Sequence, residues 1–235
     1  MTQLLDHIDL CERLASRAAA GDLAGTVSLL ASGADPLSEA CLPLRAAAHN
    51  GHAECVKLLI PVSDAKDNHS HALMLAVCGG HTECVKLLIP HSEPKDRSSR
   101  ALREAATHGL TDCVALLIPA SDPLANQSLA LLQAASQGHV DCCKLLMPVS
   151  AGLLSHPAPF HGAINNGHAG VAALMMAHEP ELIELIDLAQ ICREASARGH
   201  QELAGLLQSM VDRRAISASI LGESSPACLG LAKRL

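Results

Sequence analysis

Glycine recurs at a fixed interval along this chain: Gly51, Gly80, Gly109, Gly138 and Gly167 stand 29 residues apart, with Gly21 at a spacing of 30 before them and Gly199 at 32 after them. A period of that length means a row of like supersecondary units, and it decides the architecture before composition is considered. The stretch from Leu44 to Pro61 is echoed at 73–90, 102–119 and 131–148. Each unit reads helix, turn, helix. The first helix is expected to open at Ser70, Ser99 or Ser128 as N-cap. Its small pairs, Ala47-Ala48, Ala105-Ala106 and Ala134-Ala135, let a neighbour approach closely. The glycine ends it. The second helix places Cys55, Val56, Leu58 and Leu59 on one face, and Pro61, Pro90, Pro119 or Pro148 forbids its continuation.

A helix pair with one apolar face cannot bury that face alone, so the pairs must stack into a continuous core with modified units at the ends. The prediction is an all-α solenoid of about seven repeats with units near 1–38, 39–68, 69–97, 98–126, 127–155, 156–184 and 185–211. Both ends read as caps. The N-terminal one has a longer first helix, Leu4 to Ala20, and the C-terminal one a charged helix from Glu181 to Ala197. Residues 212–235 lose the repeat and gain Arg213, Arg214, Lys233 and Arg234, which suits a tail or a last capping helix.

Composition narrows what such an array is made of and what it meets. Hydrophobic residues make up 49% of the chain, yet there is no Trp, no Tyr and only Phe160 among the aromatics, so the core must be thin and aliphatic. The net charge of -7 argues against nucleic acid as a partner. Residues 104–192 hold eight acids (Glu104, Asp112, Asp122, Asp141, Glu179, Glu181, Glu184, Asp187) against one base, Lys144, so a basic partner would be steered there. The start lacks the basic and apolar regions of a signal peptide, and no apolar run reaches the ~18 residues of a membrane span. Ten cysteines in such a chain read as reduced thiols in the cytoplasm.

The pattern Ala-Ala-x-x-Gly-His-x-Glu-x-Val-Lys-Leu-Leu resembles the ankyrin repeat, and Ser32-Gly33-Ala34-Asp35 after Leu29-Leu30 is similar to its Gly-Ala-Asp finger. The resemblance covers roughly residues 4 to 211. Ankyrin units run to 33 residues, so these are four shorter, and short links are expected in place of long hairpin fingers. The family's helix-opening Thr-Pro-Leu-His survives only as Pro43-Leu44-Arg45 and Pro159-Phe160-His161. Units of this length look like the ankyrin arrays of bacteria and large viruses. That resemblance implies binding to a protein and, for some members, secretion into a host cell as an effector.

His52 and Cys55, His81 and Cys84, and His139 and Cys142 share a spacing of three that puts both types on one helical face. Cys78-Gly79-Gly80-His81-Thr82-Glu83-Cys84 is the best candidate for zinc. Against it, a structural site needs four ligands about 2.0 to 2.3 Å from one ion, whereas stacked helices sit about 8 to 10 Å apart. The other reading makes Gly-His the turn signature and cysteine a small core residue. The same separation opposes disulfides between Cys55, Cys84, Cys113 and Cys142. Catalytic residues are needed once, and most of these recur in register. His108, His156, His178 and Cys228 do not recur but have no partner motif nearby. No enzyme activity and no cofactor are expected.

What varies against this constant frame is the pair before each Gly: His49-Asn50, Cys78-Gly79, Thr107-His108, Ser136-Gln137 and Asn165-Asn166. In the ankyrin family these positions and the finger touch partners. The links add Lys66, Asp67, His69, Lys95, Arg97 and Arg100 as a mildly basic rim. Interface anchors are usually Trp, Tyr or Arg, which leaves Arg45, Arg103, Met74 or Phe160 for that role. The expectation is a monomeric, non-enzymatic scaffold that binds a protein moderately and in a salt-sensitive way through link tips and concave helix faces. The alternatives are the binding module of a bacterial effector and a metal-binding or redox protein.

Overall fold

The computed structural model describes residues 2–182 and 187–223, with side chains at 9–182, 187–213 and 216; Glu184, Cys228, Lys233 and Arg234 lie outside these. Every regular element among the described residues is helical. In chain order they are α1 (Thr2–Ala19), α2 (Leu23–Ala31), α3 (Ser38–His49), α4 (Ala53–Leu59), α5 (Asp67–Cys78), α6 (Thr82–Leu88) and α7 (Asp96–Thr107). They continue as α8 (Thr111–Leu117), α9 (Ala125–Ser136), α10 (Val140–Leu146), α11 (Ala158–Asn165), α12 (Ala169–His178), α13 (Leu188–Ala197) and α14 (Gln201–Glu223). Successive pairs stack as the period requires. Of the charged helix expected over 181–197, the described helical part is Leu188–Ala197. The last helix runs on past residue 211 to Glu223.

The first helices of the pairs, α1 to α11, pack side by side more closely than the second helices do. The cause is side-chain size: Ala47, Ala48, Ala105, Ala106, Ala134 and Ala135 are fully buried between first helices. Between the layers run matching columns of leucine (Leu44, Leu73, Leu102, Leu131) and of Val-Leu pairs from the second helices. One apolar cluster extends from Ala18 to Leu207. Phe160, the one aromatic residue of the chain, is 0% exposed inside it and therefore offers nothing to a partner.

Each first helix ends in a Schellman motif. In α3 the N–H of Gly51 donates to the Ala48 carbonyl and that of His52 to the Ala47 carbonyl at 3.0 Å, with Gly51 at φ 78°. The prolines stop the second helices less abruptly than expected. Pro61, Pro90 and Pro148 sit inside three-residue 3₁₀ turns (Ile60–Val62, Ile89–His91, Met147–Val149) that carry the chain one short turn further.

The links are where the shortening is accommodated. No hairpin forms among the described residues. Four links instead make one turn of left-handed helix from three consecutive non-glycine residues: Glu39–Cys41 at φ 48, 57 and 58°, Asn68–Ser70 at 48, 60 and 58°, Arg97–Ser99 at 47, 57 and 57°, and Asn126–Ser128 at 50, 58 and 61°. Left-handed backbone costs an L-residue roughly 1–2 kcal/mol. The turns therefore need compensating contacts, and these come from the neighbouring unit and, at two links, from an arginine of the same helix.

Candidate functional site

The residues that recur in register are bound to an adjacent repeat. His52, His81, His139, His168 and His200 stand just before their second helices, but their rings do not cap those helices. Each Nε2–H donates to the last carbonyl of the preceding unit's first helix: Ala19 at 2.9 Å, His49 at 2.9 Å, Thr107 at 3.0 Å, Ser136 at 2.9 Å and Asn165 at 3.1 Å. Those carbonyls have no partner within their own helices, so the imidazole satisfies them from outside. The ring lies over the preceding unit's turn glycine, and a Cβ on Gly21, Gly51, Gly109, Gly138 or Gly167 would run into it. Glycine is needed there twice, for its positive φ and for its missing side chain. The row is broken once, where Leu110 replaces the histidine opposite Gly80.

The serines predicted as N-caps also serve the neighbouring unit rather than their own helix. The Oγ of Ser70 accepts from the N–H of Glu93 at 2.8 Å, that of Ser99 from Asp122 at 2.8 Å, and that of Ser128 from Ala151 at 2.9 Å. In the first link the thiol of Cys41 takes this place, accepting from the Asp64 N–H at 3.3 Å. This fixes each left-handed turn to the following link.

The cysteines recur for packing. Cys55, Cys84, Cys113 and Cys142 are buried free thiols on the second helices, and burial pushes each above the usual thiol range. Thr82 and Thr111 hydroxyls lie 3.9 and 3.7 Å from the Cys113 and Cys142 sulfurs. Cys143 is raised to about 12, by burial first and by Cys142 second. No cluster of three or more potential metal ligands occurs among the described residues.

The proposed partner-binding residues divide into three groups. Met74 is 9% exposed and belongs to the core, which corrects its assignment as an anchor. Arg45 and Arg103 are half-buried and committed to their own links. Arg45 Nη1 donates to the Glu39 and Ala40 carbonyls at 3.1 and 3.2 Å, and Arg103 Nη2 to the Arg97 carbonyl at 3.2 Å, so both brace left-handed turns.

A second group lies in a row at the ends of the first helices: His49, Asn50, Cys78, Thr107, His108, Ser136, Gln137, Asn165 and Asn166. Thr107 and Ser136 are half-buried and the rest exposed. Several close their own helices. Asn50 and Asn166 donate to the Ala46 and Gly162 carbonyls, His108 Nδ1–H to the Glu104 carbonyl, and the Thr107 hydroxyl to the Arg103 carbonyl. Arg198 Nη1 donates to the Asn165 amide oxygen at 2.7 Å.

The third group is gathered between the second and third links, where His69, Arg97 and Arg100 line a shallow cleft with Asn68, His71 and the edge of Met74. Lys66 lies just outside, paired with Glu93 at 3.2 Å. His69 Nδ1 is 2.8 Å from an Asp96 carboxylate oxygen, and Arg100 Nε is 3.6 Å from Glu104. His71, which sequence reasoning passed over, is held below the usual imidazole range by burial and then by Arg45, Arg100 and Arg97. Its signal lay in the register, where Leu42, His71, Arg100 and Leu129 occupy one position and only the middle two are basic. A further groove of about 430 Å³ between α11 and α13 carries Leu154, Ile191, Asp187 and Glu194 on its walls.

The fold and this surface define a helix-pair repeat solenoid whose constant residues join its units and whose variable residues face outward. A family model described as ankyrin repeats (3 copies) matches residues 13–98 and 44–127. The chain is similar in fold to the human ASB11 ankyrin repeat domain, with a TM-score of 0.60 and 24% sequence identity over 71% of this chain and 83% of that one. Residues 13–127 of the chain belong to the ankyrin repeat family. No curated protein matches it. Among the described residues, no helix is long and apolar enough to cross a membrane.

Proposed function

We propose that this chain is a non-enzymatic scaffold that binds a partner protein through the first-helix face and the adjoining links. Ankyrin repeats generally mediate protein–protein interaction. One observation carries the reading for this chain: the in-register histidines bind the preceding repeat through Nε2 and the in-register serines the following link through Oγ, while the exposed helix-end positions differ from unit to unit. A frame that repeats and a surface that does not are what selective binding requires. The exposed side chains of His49, His108 and Gln137 form the test row, in place of the Arg45 and Arg103 anchors. Residues 104–192 carry eight acids against one base, and a partner meeting them there would be basic.

The test is affinity capture of a partner with the chain as bait, repeated with His49, His108 and Gln137 together replaced by Ala. The expected result is loss of capture with a thermal unfolding midpoint lowered only slightly, by loss of the exposed His108 bond to the Glu104 carbonyl. Undiminished capture by the triple variant would move the binding surface elsewhere.

A further inference from the structure

Rows of equivalent positions show where this surface is unlike itself. Across the first four links one row reads Glu39, Asn68, Arg97, Asn126, and on the helices behind it another reads Leu42, His71, Arg100, Leu129. The basic residues of these rows are His71, Arg97 and Arg100 alone, and together with His69 they line one cleft. The Arg45 charge from the preceding unit acts on His71 together with those of Arg97 and Arg100.

The acids around this cleft are already engaged. Glu93 pairs with Lys66 at 3.2 Å, Asp96 with His69 at 2.8 Å and Glu104 with Arg100 at 3.6 Å. Arg97 is exposed and makes no short ion pair with a described carboxylate, although its charge acts on Asp96, and the Arg45 guanidinium is bound to uncharged carbonyls. Asn68 Nδ2–H donates to His71 Nδ1 at 3.2 Å, which leaves the proton of a neutral His71 on Nε2 as a further donor. The cleft therefore holds surplus donors of positive charge.

We infer that the cleft between the second and third links binds a carboxylate side chain of an acidic peptide segment in the partner, with Arg97 and Arg100 donating to it. This rests on the scaffold function and names the chemistry of one contact. A guanidinium fork matches a carboxylate in two parallel hydrogen bonds, and Arg100 need only exchange a 3.6 Å contact with Glu104 for a shorter one. The cleft is small and open, so it seats a side chain and not a domain. The acidic stretch over residues 104–192 then requires a partner that carries both charges, negative at this cleft and positive further along.

The experiment uses the full chain and a labelled peptide alternating Glu with Ser, its Lys counterpart, and an oligonucleotide, followed by fluorescence anisotropy. The Glu peptide is expected to bind at low salt and release at high salt. Arg97→Ala with Arg100→Ala is expected to weaken it on the order of tenfold, and Glu104→Gln, which frees Arg100, to tighten it. Lys57→Ala with Lys86→Ala, on the exposed faces of α4 and α6, is the control for general charge and should change nothing.

Equal weakening by both double variants would overturn the assignment. So would tighter binding of the oligonucleotide, or a dimer of the chain that the arginine variant dissolves, since a second copy would then be the occupant. The two readings separate cleanly: a captured partner insensitive to the arginine variant leaves the scaffold function standing and removes this site. Peptide binding as described, with no protein bound at the helix-end row, does the reverse.

Discussion

His139 donates its Nε2–H to the backbone carbonyl of Thr107 at 3.0 Å, so that a side chain at the start of one unit's second helix closes the end of the preceding unit's first helix. The contact is a nearest-neighbour term in the stability of the array, formed only when adjacent units stack. His139→Ala leaves a helix-end carbonyl without its donor and is expected to cost about 1–2 kcal/mol. Leu110→His, which restores the row opposite the Cys78 carbonyl, is expected to shift stability the other way by a smaller amount. Urea unfolding of both variants, read at unchanged m-value, checks the pair.

That contact also marks the limit of what was readable in advance. Gly138-His139 was legible as a turn signature because it recurs. Its second use was not, because a side chain's partner 32 residues away leaves no trace in local spacing. The period and the apolar faces around Leu44 and Val56 specify helix pairs and their stacking. The left-handed turns escaped for a different reason: Asn68 and Asn126 tolerate positive φ, but Glu39 and Arg97 at the same position do not favour it. Local propensity opposes the turn, and contacts from the next link impose it. Arg45 and Arg103 looked like interface anchors because arginine often is one, and nothing in the sequence showed the carbonyls they brace.

Glycine in the turn is required for two separable reasons, and three positions distinguish them. Gly199→Ala, at φ 84° with nothing within 4 Å of the new Cβ, should cost only the left-handed backbone term of roughly 1 kcal/mol. Gly80→Ala, at φ 69°, adds a 3.3 Å contact with Leu110, which the leucine can absorb by a small shift. Gly138→Ala, at φ 79°, puts the Cβ 2.6 Å from the His168 ring and so also displaces the hydrogen bond to Ser136. The expected order of destabilisation is Gly138, then Gly80, then Gly199. Thermal unfolding of the three single variants tests it, and equal losses would assign the whole requirement to backbone conformation.

Ser99 is 1% exposed and its hydroxyl is the acceptor for the Asp122 N–H at 2.8 Å. Ser99→Ala leaves that amide unpaired in the link and should cost about 1–3 kcal/mol. Ser99→Cys should cost less, since Cys41 fills the equivalent place in the first link with a sulfur 3.3 Å from the Asp64 N–H. Hydrogen exchange at the Asp122 amide gives the site-specific reading, with protection falling from Ser to Cys to Ala.

His71 gives the array a pH dependence in mildly acidic solution. Burial, and after it the charges of Arg45, Arg100 and Arg97, lowers its folded-state value below the ordinary 6.5. The unfolded chain therefore binds the proton more readily than the folded one. The stability this group contributes is fully present above pH 6.5 and is lost as pH falls below 6.5 toward the folded-state value. Asp96 acts lower on the scale. Burial alone would raise it, but the Arg97 N–H and then His69 outweigh burial and hold it below 3.8, so its contribution disappears only in strong acid. Between pH 7 and 5 the unfolding midpoint should fall, and His71→Asn, which cannot take up the proton, should flatten that part of the profile. The decline should also steepen in Glu104→Gln, because an acid beside Arg100 is removed and the field at His71 becomes more positive. A Glu104→Gln profile that coincides with that of the parent chain would mean that desolvation alone sets the His71 equilibrium.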